Sequence, residues 1–282
     1  MTDTIDHLPP TDHLPRVGTR ETLPEYLREV WRRREFMVHM PLNVLRSQNR
    51  NTSLGNIWHL LNPLLQVTVY YAIFGLILGT DRGVDNFLGF LTVGLFVFRY
   101  SQKALTDAAG VLQRNEGLIR SIQFPRAVLP ISTVISQLIS FGGSLSVVIV
   151  TALVTQEYPT WRWLLLLPIL ALQTLFNLGG GFFLARIAYR TRDVVELLPH
   201  LFRLVFYSSG VMFSVESFVD DPILRVVFDL NPFYDFVSLA RWAIMGDEIR
   251  SLAVFSAIGW TIVLVIGGFF FFRAADHEYG RT

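Results

Sequence analysis

Long runs of apolar residues follow one another along the chain, separated by short polar turns. The runs cover about residues 57–78, 87–100, 128–154, 163–188, 197–215 and 251–272. A helix needs roughly 20 predominantly apolar residues to cross a hydrocarbon core about 30 Å thick. The pattern therefore predicts an all-α membrane protein with six transmembrane helices.

The stretch from Leu23 to Ser47, before the first run, has the pattern of an amphipathic helix. Its apolar side holds Leu27, Val30, Trp31, Phe36, Val38 and Met40, and its basic side holds Arg28, Arg32, Arg33 and Arg34. Such a helix can lie flat on a membrane with its arginines near lipid phosphates. A solvated charged helix is the alternative, but a spanning segment follows directly, which favours the interfacial interpretation.

Between the last two runs, residues 216–250 are only half apolar and are interrupted by Pro222 and Pro232. Asp220 or Asp221 before the first proline, and Asn231 before the second, are typical helix starts. We expect two short re-entrant helices here, since irregular backbone at membrane depth is tolerated only where it lines protein or a wet cavity. A hairpin on the outer surface is the alternative.

Arginine and lysine positions predict the orientation. The segment before the first span holds eight arginines, whereas the turns at the opposite side hold Arg82 and Arg162 alone. Both termini should therefore be cytoplasmic, in a multi-pass protein of the plasma (inner) membrane. The predicted organisation is a disordered cytoplasmic tail (1–24), an interfacial helix and elbow (25–55), a transmembrane domain (56–275) and a second cytoplasmic tail (276–282).

Composition and motifs exclude several classes of protein. The chain is 51% hydrophobic and only 17% charged, and it has no cysteine. Its one lysine, Lys103, follows no glycine-rich loop, so nothing predicts a site for ATP phosphates. The six histidines are scattered without a zinc-binding spacing. We expect no catalytic residue, no cofactor, no metal and no nucleic-acid partner.

Small and charged residues inside the spans predict helix contacts. The glycines at 179–181 in the fourth run, and Gly142, Gly143 and Ser146 in the third, should allow close helix packing. Arg99 lies inside the second run, where charge is costly, and Arg99, Lys103 and Asp107 recur every fourth residue and so share one helix face. They should line a translocation path or a subunit contact, unless the span ends early and Arg99 extends toward the headgroups.

Aromatic side chains concentrate near the predicted outer span ends. They are Trp161, Trp163, Phe228, Phe233, Tyr234, Phe236 and Trp242. Interfacial aromatic belts explain such positions, and aromatic faces that contact a glycan are the alternative.

Three stretches resemble one family of transporters. They are the elbow at 45–63, the turn at 115–126 followed by Leu129-Pro130, and Leu230-Asn231-Pro232-Phe233-Tyr234 with Arg241 and Gly246 beyond it. Together they resemble the ABC-2 type permeases that export polysaccharides such as O-antigen and teichoic acid. Within that family the chain resembles the actinobacterial member linked to export of lipid-linked galactan. Arg99 and the proline-rich N-terminal tail depart from the family pattern.

The resemblance implies a homodimer of six-span subunits, two copies of a separate ATPase, and a polyprenyl-linked polysaccharide as substrate. It also implies a coupling helix at about 113–122. There Asn115 or Glu116 would contact the ATPase, and beyond Gly117 the side chains of Leu118 and Ile119 would fill an apolar groove on it. An amphipathic turn lying on lipid is the alternative for this helix.

Two other functions compete with polysaccharide export. One is a drug or small-lipid efflux permease of the same family. The other is a membrane-embedded glycosyltransferase or hydrolase, which would need a carboxylate cluster at the membrane surface. Asp220, Asp221 and Asp229 are the candidates for such a cluster.

Overall fold

The computed structural model describes residues 22–38, 55–81, 83–122, 124–276 and 279, without the side chains of Asn56 and His59. This part of the chain is helical and contains no strand. The α-helices are α1 (Leu23–Arg32), α2 (Trp58–Tyr70), α3 (Phe87–Ala109), α4 (Val111–Arg114), α5 (Glu116–Ser121), α6 (Val128–Val154), α7 (Leu166–Arg190), α8 (Asp193–Tyr207), α9 (Val215–Phe218), α10 (Pro222–Asp229), α11 (Pro232–Met245) and α12 (Ser251–Ala274). A π-helix, Tyr71–Ile77, continues α2, and 3-10 turns lie at Gly55–Ile57 and Trp161–Leu165.

Four of the predicted spans are confirmed as helices long and apolar enough to cross a membrane. They are Leu60–Ile77, Val128–Val154, Trp161–Arg190 and Ser251–Ala274. These correspond to the first, third, fourth and sixth apolar runs. Residues 45–54 of the predicted elbow and most of the N-terminal tail lie outside the described ranges.

The second and fifth runs form helices of a different kind. The 23 residues of α3 extend over about 35 Å, but Arg99, Lys103 and Asp107 lower the apolar character of the helix. The 15 residues of α8 end at Tyr207 rather than at the predicted Val215. The chain turns there, and Gly210 adopts a φ of +58°, a backbone conformation that glycine reaches without steric cost. Six transmembrane helices stay a prediction.

Helix α3 lies at the centre of the bundle, with buried residues along most of its length. Polar side chains join it to α7. Gln173 donates through Nε2 to the Val97 carbonyl and to Ser101 Oγ, both at 2.8 Å, and the hydroxyls of Tyr100 and Thr174 lie 2.8 Å apart. Hydrogen bonds of this kind hold helices together where no hydrophobic driving force separates protein from lipid.

Helices α7 and α12 pack backbone to backbone. A Cβ placed on Gly179 would meet the backbone of Leu264, and one on Gly268 would meet the Gly179 carbonyl. The predicted packing role of the glycines at 179–181 is therefore confirmed. The same prediction for α6 is wrong within this chain, because a Cβ on Gly142 would meet no atom within 4 Å and Ser146 is exposed.

The bundle has two distinct ends. The α5 end carries α1, α4, α5 and the C-terminal part of α12. The α10 end carries α10 and the beginnings of α3 and α12. Asp229 at the end of α10 pairs with Arg250 directly before α12, and Arg241 on the following helix, α11, donates to the Phe90 carbonyl in the first turn of α3.

Candidate coupling surface and translocation path

Residues 113–122, the predicted coupling segment, form the end of α4 and all of α5, which connect α3 to α6 at the α5 end of the bundle. Asn115 lies at the break between them and donates through Nδ2 to the Val111 carbonyl at 2.8 Å. Glu116 begins α5 with a carboxylate that is 35% exposed. The backbone at Gly117 is exposed and would leave room for a Cβ.

Ile119 does not face a partner protein, contrary to the prediction. It is buried in an apolar cluster with Tyr26, Val30 and Leu112, because the side of α5 that carries Ile119 packs against α1 and α4. Leu118 is only partly buried, and Ile122, just beyond α5, is 50% exposed. An apolar contact from this helix to another protein would therefore use Leu118 and Ile122.

An ion pair and a hydrogen bond join the predicted coupling segment to the connection between α7 and α8. Glu116 Oε1 pairs with the Arg192 guanidinium at 3.2 Å, directly before α8 begins. Gln113 donates through Nε2 to the Ala188 carbonyl near the end of α7 at 2.7 Å. A displacement of α5 would thus be transmitted directly to the start of α8.

Three segments far apart in sequence converge on Tyr26 at the same end of the bundle. Its hydroxyl donates to Asp276 Oδ1 at 3.3 Å and accepts from the backbone N–H of Ala127 at 3.4 Å. Arg126 lies 3.6 Å from the other Asp276 oxygen. We call Tyr26, Arg126 and Asp276 the terminal junction. Burial, followed by the Asp276 carboxylate, raises the pKa of Tyr26 well above its ordinary value, so the phenol remains a neutral donor.

Helix α1 has one apolar side against the protein and another facing outward. Tyr26, Val30 and Met37, the last lying beyond the helix end, are buried against the bundle. Trp31 is 68% exposed, and the Arg34 guanidinium lies 5.8 Å from its ring centre. Arg32 and Arg33 lie beside the Glu29 carboxylate at 4.0 and 3.3 Å. The exposed apolar side has the arrangement expected of a helix at a lipid surface.

Arg99 and Lys103 lie on one side of α3. The Arg99 guanidinium is 3.5 Å from the Tyr70 hydroxyl on α2 and 5.9 Å from the centre of its ring. Lys103, one turn further along, is exposed. The helix continues without interruption to Ala109, so α3 itself does not end at Arg99.

The two proline-initiated helices begin where the sequence predicts. Asp221 accepts a hydrogen bond from the Ile223 N–H at 2.7 Å, which caps α10. Asn231 accepts one from the Phe233 N–H at 3.1 Å, which caps α11. Asp229 is buried and pairs with Arg250 at 2.6 Å. Asp221 and Asp229 therefore serve the local structure, and each has a partner in the hairpin itself.

Two of the aromatic side chains considered for glycan contact lie inside the bundle. Phe236 is 1% exposed and packs against Phe176. Phe233 lies among the rings of Phe98, Phe176 and Phe202, at centroid distances of 5.5–5.8 Å. Burial excludes the alternative of glycan contact for Phe236, whereas Phe233 is partly buried and lines the apolar cavity described below.

The other aromatic candidates remain nearer the surface. Phe228 and Tyr234 meet edge to face at 5.7 Å across the turn between α10 and α11. Trp242 is partly buried, with the Arg162 guanidinium 5.8 Å from its ring centre. Arg162 and Trp242 therefore pair at the α10 end.

Arg241 is the residue whose role the sequence did not reveal. It is buried on α11, where Nε and Nη2 donate to the Phe90 carbonyl at 3.2 and 3.1 Å, Nη1 to that of Gly210 and Nη2 to that of Val211, both at 3.0 Å. The Gly210 and Val211 carbonyls belong to the turn that follows α8, and the Phe90 carbonyl belongs to the first turn of α3. Arg241 follows the third stretch that resembles the transporter family, and this is the sequence feature that could have indicated its importance. Its partners could not be predicted, because they lie 30 to 151 residues away in the sequence.

An apolar cavity of about 310 Å³ opens between α7, α8, α11 and α12. Its lining includes Gly180, Phe183, Leu201, Val205, Phe233 and Trp260. The volume is at the lower end of the range for ligand pockets, about 300–1,000 Å³. No polar surface lines it, so it suits an apolar group.

A family model described as ABC-2 type transporter matches residues 43–245 of the chain. Several curated proteins are also similar over most of their length. The O-antigen export system permease protein RfbA of Myxococcus xanthus is 27% identical over 206 residues, which cover 73% of this chain and 78% of that protein. The protein of the same name from Klebsiella pneumoniae is 26% identical, over 78% of this chain and 85% of the relative.

A further similar protein is the polysialic acid transport protein KpsM of Escherichia coli. It is 23% identical over 236 residues, which cover 80% of this chain and 89% of that protein. The region matched by the family model, residues 43–245, includes α2 to α11. It therefore contains the predicted coupling segment, Arg99, Lys103 and the proline-initiated helices.

Proposed function

The chain belongs to the ABC-2 type transporter family, and we propose from this that it is the permease subunit of a polysaccharide exporter. The permease itself is not an enzyme, and ATP is hydrolysed by a separate subunit. The names of the relatives, which export O-antigen and transport polysialic acid, support a polysaccharide substrate. The more specific proposal is a lipid-linked galactan for the cell wall, supported by the sequence resemblance to galactan exporters.

The observation that carries the proposed mechanism is that α4 and α5 both contact the connection between α7 and α8. Gln113 on α4 donates to the Ala188 carbonyl near the end of α7, and Glu116 on α5 pairs with Arg192 directly before α8. We propose that an ATPase docks on this surface from the cytoplasm and that its movement reaches α8 through these contacts. The corresponding assembly is a homodimer with two ATPase copies, six spans per subunit, cytoplasmic termini, and α10 and α11 as re-entrant helices.

Arg99 and Lys103 are proposed to face the path in this assembly. The support is their position on the central helix, with Lys103 exposed and Arg99 only partly covered by α2. Trp31 and Arg32 to Arg34 are proposed to hold α1 in the headgroup layer.

Depletion of the protein tests the proposed function. Cells should accumulate a lipid-linked glycan on the cytoplasmic side, and analysis of its sugars should identify galactose as the main component. Accumulation of a different glycan would contradict the galactan assignment alone. An unchanged pool of every lipid-linked glycan would contradict export of polysaccharide.

The docking surface has its own test. Glu116→Arg combined with Leu118→Asp should reduce co-purification of the ATPase, because it reverses the charge and adds a second charge to the partly exposed apolar side. Gly117→Ala is a matched control on the same helix, since a Cβ there would meet nothing within 4 Å. Equal recovery of the ATPase with both variants would contradict docking on α5.

A second candidate function is efflux of an apolar compound, which the cavity of about 310 Å³ favours. Val205→Trp would fill it. If this variant sensitised cells to apolar drugs while glycan export continued, efflux would be the better assignment. A membrane-embedded glycosyltransferase has less support, because Asp221 caps a helix and Asp229 is paired with Arg250.

A further inference from the structure

Arg99 and Lys103 lie in the half of α3 nearer the α5 end. Helix α3 begins at Phe87, at the α10 end, so at 1.5 Å per residue Arg99 is about 18 Å and Lys103 about 24 Å along it. The hydrocarbon core is about 30 Å thick. The two cations would therefore lie about 6–12 Å inside the core from the α5 side, if the helix begins at the opposite boundary.

The pair is open to an incoming group on this side. Tyr70 at the end of α2 lies beside Arg99, and Tyr71, the first residue of the π-helix, lies beside Phe87. Closer to the α5 end, Leu60 and Leu64 on α2 are more than 40% exposed. Helix α2 therefore covers Arg99 from the α10 side and leaves Lys103 uncovered.

Neither cation is held in an ion pair within the described part of the chain. Asp107, one turn beyond Lys103, attracts the Lys103 ammonium, but this attraction is weaker than the repulsion from Arg99. The nearest carboxylate on the same helix side, Asp107, accepts a hydrogen bond from Gln137 Nε2 at 2.6 Å. Two positive charges one turn apart repel each other, and the cost rises in a medium of low dielectric constant.

An anion with several oxygens removes this cost. A guanidinium binds phosphate through two parallel N–H bonds, and an ammonium adds a compact second charge. We propose that Arg99 and Lys103 bind the phosphate or diphosphate ester that joins the glycan to its lipid carrier as it enters from the cytoplasmic side. This inference rests on the proposed export of a lipid-linked polysaccharide.

Binding of a small isoprenyl diphosphate tests the site directly. The permease–ATPase complex would be placed in nanodiscs of phosphatidylcholine, and binding of radiolabelled geranyl diphosphate measured at equilibrium. We expect saturable binding that geraniol, the same chain without phosphate, does not compete for. Arg99→Gln combined with Lys103→Gln should weaken the affinity at least tenfold. Arg162→Gln removes a cation at the α10 end and should leave it unchanged.

Charge-conserving variants separate binding from folding. Arg99→Lys keeps the charge and loses the guanidinium, so its affinity for geranyl diphosphate should fall several-fold while the complex assembles normally. Unchanged affinity in both Arg99→Lys and the double glutamine variant would overturn the site. If only the double variant failed to assemble, the Arg99→Lys result would decide the question in the same way.

The phosphate could also belong to an anionic phospholipid headgroup, and a change of nanodisc lipid distinguishes the two sources. When phosphatidylglycerol replaces half of the phosphatidylcholine, the negative surface lowers the local diphosphate concentration equally for all variants, so the difference in affinity between the wild type and the double glutamine variant should persist. Loss of that difference would overturn the substrate site in favour of a headgroup site. A wrong assignment of the export function would give a different result. Depletion of the protein would then cause no lipid-linked glycan to accumulate, although the purified complex would still bind geranyl diphosphate.

Discussion

At the scale of single residues, Arg241 stabilises the most irregular part of the bundle. Its buried guanidinium donates to the carbonyls of Phe90, Gly210 and Val211. Two of these carbonyls belong to the turn that follows α8, where no helix continues to supply partners. A buried carbonyl without a donor is costly, so one side chain makes the early end of α8 possible.

Replacing Arg241 should therefore destabilise the protein strongly. Arg241→Ala leaves the Gly210 and Val211 carbonyls without this donor, whereas the Phe90 carbonyl lies within α3. At about 1–3 kcal/mol for each unsatisfied buried group we expect a loss of at least about 2 kcal/mol. Arg241→Lys should recover little, because one ammonium lacks the planar fork. Thermal unfolding in detergent measures the change, and Arg203→Ala, an exposed arginine on α8, is the control. A similar melting temperature for both alanine variants would contradict this role.

Sequence reasoning succeeded where a residue acts on its immediate neighbours. Asp221 and Asn231 cap helices two residues ahead, and an acidic or amide residue before proline predicts such a cap. It failed for Arg241 and for Ile119, since each depends on which elements surround the side chain. Periodicity over six residues was too short to show which side of α5 faces inward.

At the scale of elements, the contact between α7 and α12 depends on two glycines. Gly268→Ala would place a methyl group against the Gly179 carbonyl. Because the clash is with the backbone, no change of side-chain rotamer can relieve it. The helices would have to separate, and overpacking of this kind costs about 1–3 kcal/mol. We expect lower thermal stability in detergent and a lower yield of folded protein.

The neighbouring residue provides a control that differs by one position. Gly267 is exposed, and a Cβ there would meet no atom within 4 Å. Gly267→Ala should be neutral or slightly stabilising, because alanine has the higher helix propensity. Equal effects of the two substitutions would show that helix propensity rather than packing determines the result.

The terminal junction should hold α1 against the bundle. Tyr26→Phe keeps the buried ring and removes the hydrogen bonds to Asp276 and from Ala127, which together contribute about 1–2 kcal/mol. Amide hydrogen exchange over α1 should become faster, while exchange in α7 stays unchanged. Tyr158→Phe, at a tyrosine that is 71% exposed, is the control. Unchanged exchange in α1 would mean that apolar contacts alone hold it.

The sequence predicted the apolar helices closely, because a lipid-spanning segment has to carry its own signal of length and apolarity. Val128–Val154 has the predicted bounds. The predicted end of α8 was wrong because Ser208 to Ser214 are apolar enough to continue a span, and only the surrounding carbonyl donors make a turn stable there. The terminal junction gave no signal, since Tyr26 and Asp276 are 250 residues apart.

At the scale of the whole molecule, α5 is the point where the ends of several helices meet. It follows α3 and precedes α6, and through Glu116 it reaches the start of α8. The same end holds α1 and the C-terminal part of α12 through the terminal junction. A partner that moves α5 would therefore act on helices from both halves of the sequence.

A charge reversal at Glu116 and Arg192 tests this transmission. The pair is largely exposed, so it contributes at most about 1 kcal/mol to stability, and neither Glu116→Arg nor Arg192→Glu should unfold the protein. If the pair transmits movement, each single variant should reduce glycan export by severalfold while the ATPase still co-purifies with Arg192→Glu. The double variant restores an ion pair with the charges exchanged, so it should recover export wherever Glu116 acts through Arg192. If the double variant recovers neither export nor coupled ATP hydrolysis, Glu116 would instead be assigned to direct contact with the ATPase. In that case the arginine at position 116 would present a positive charge where the ATPase meets a carboxylate in the wild type.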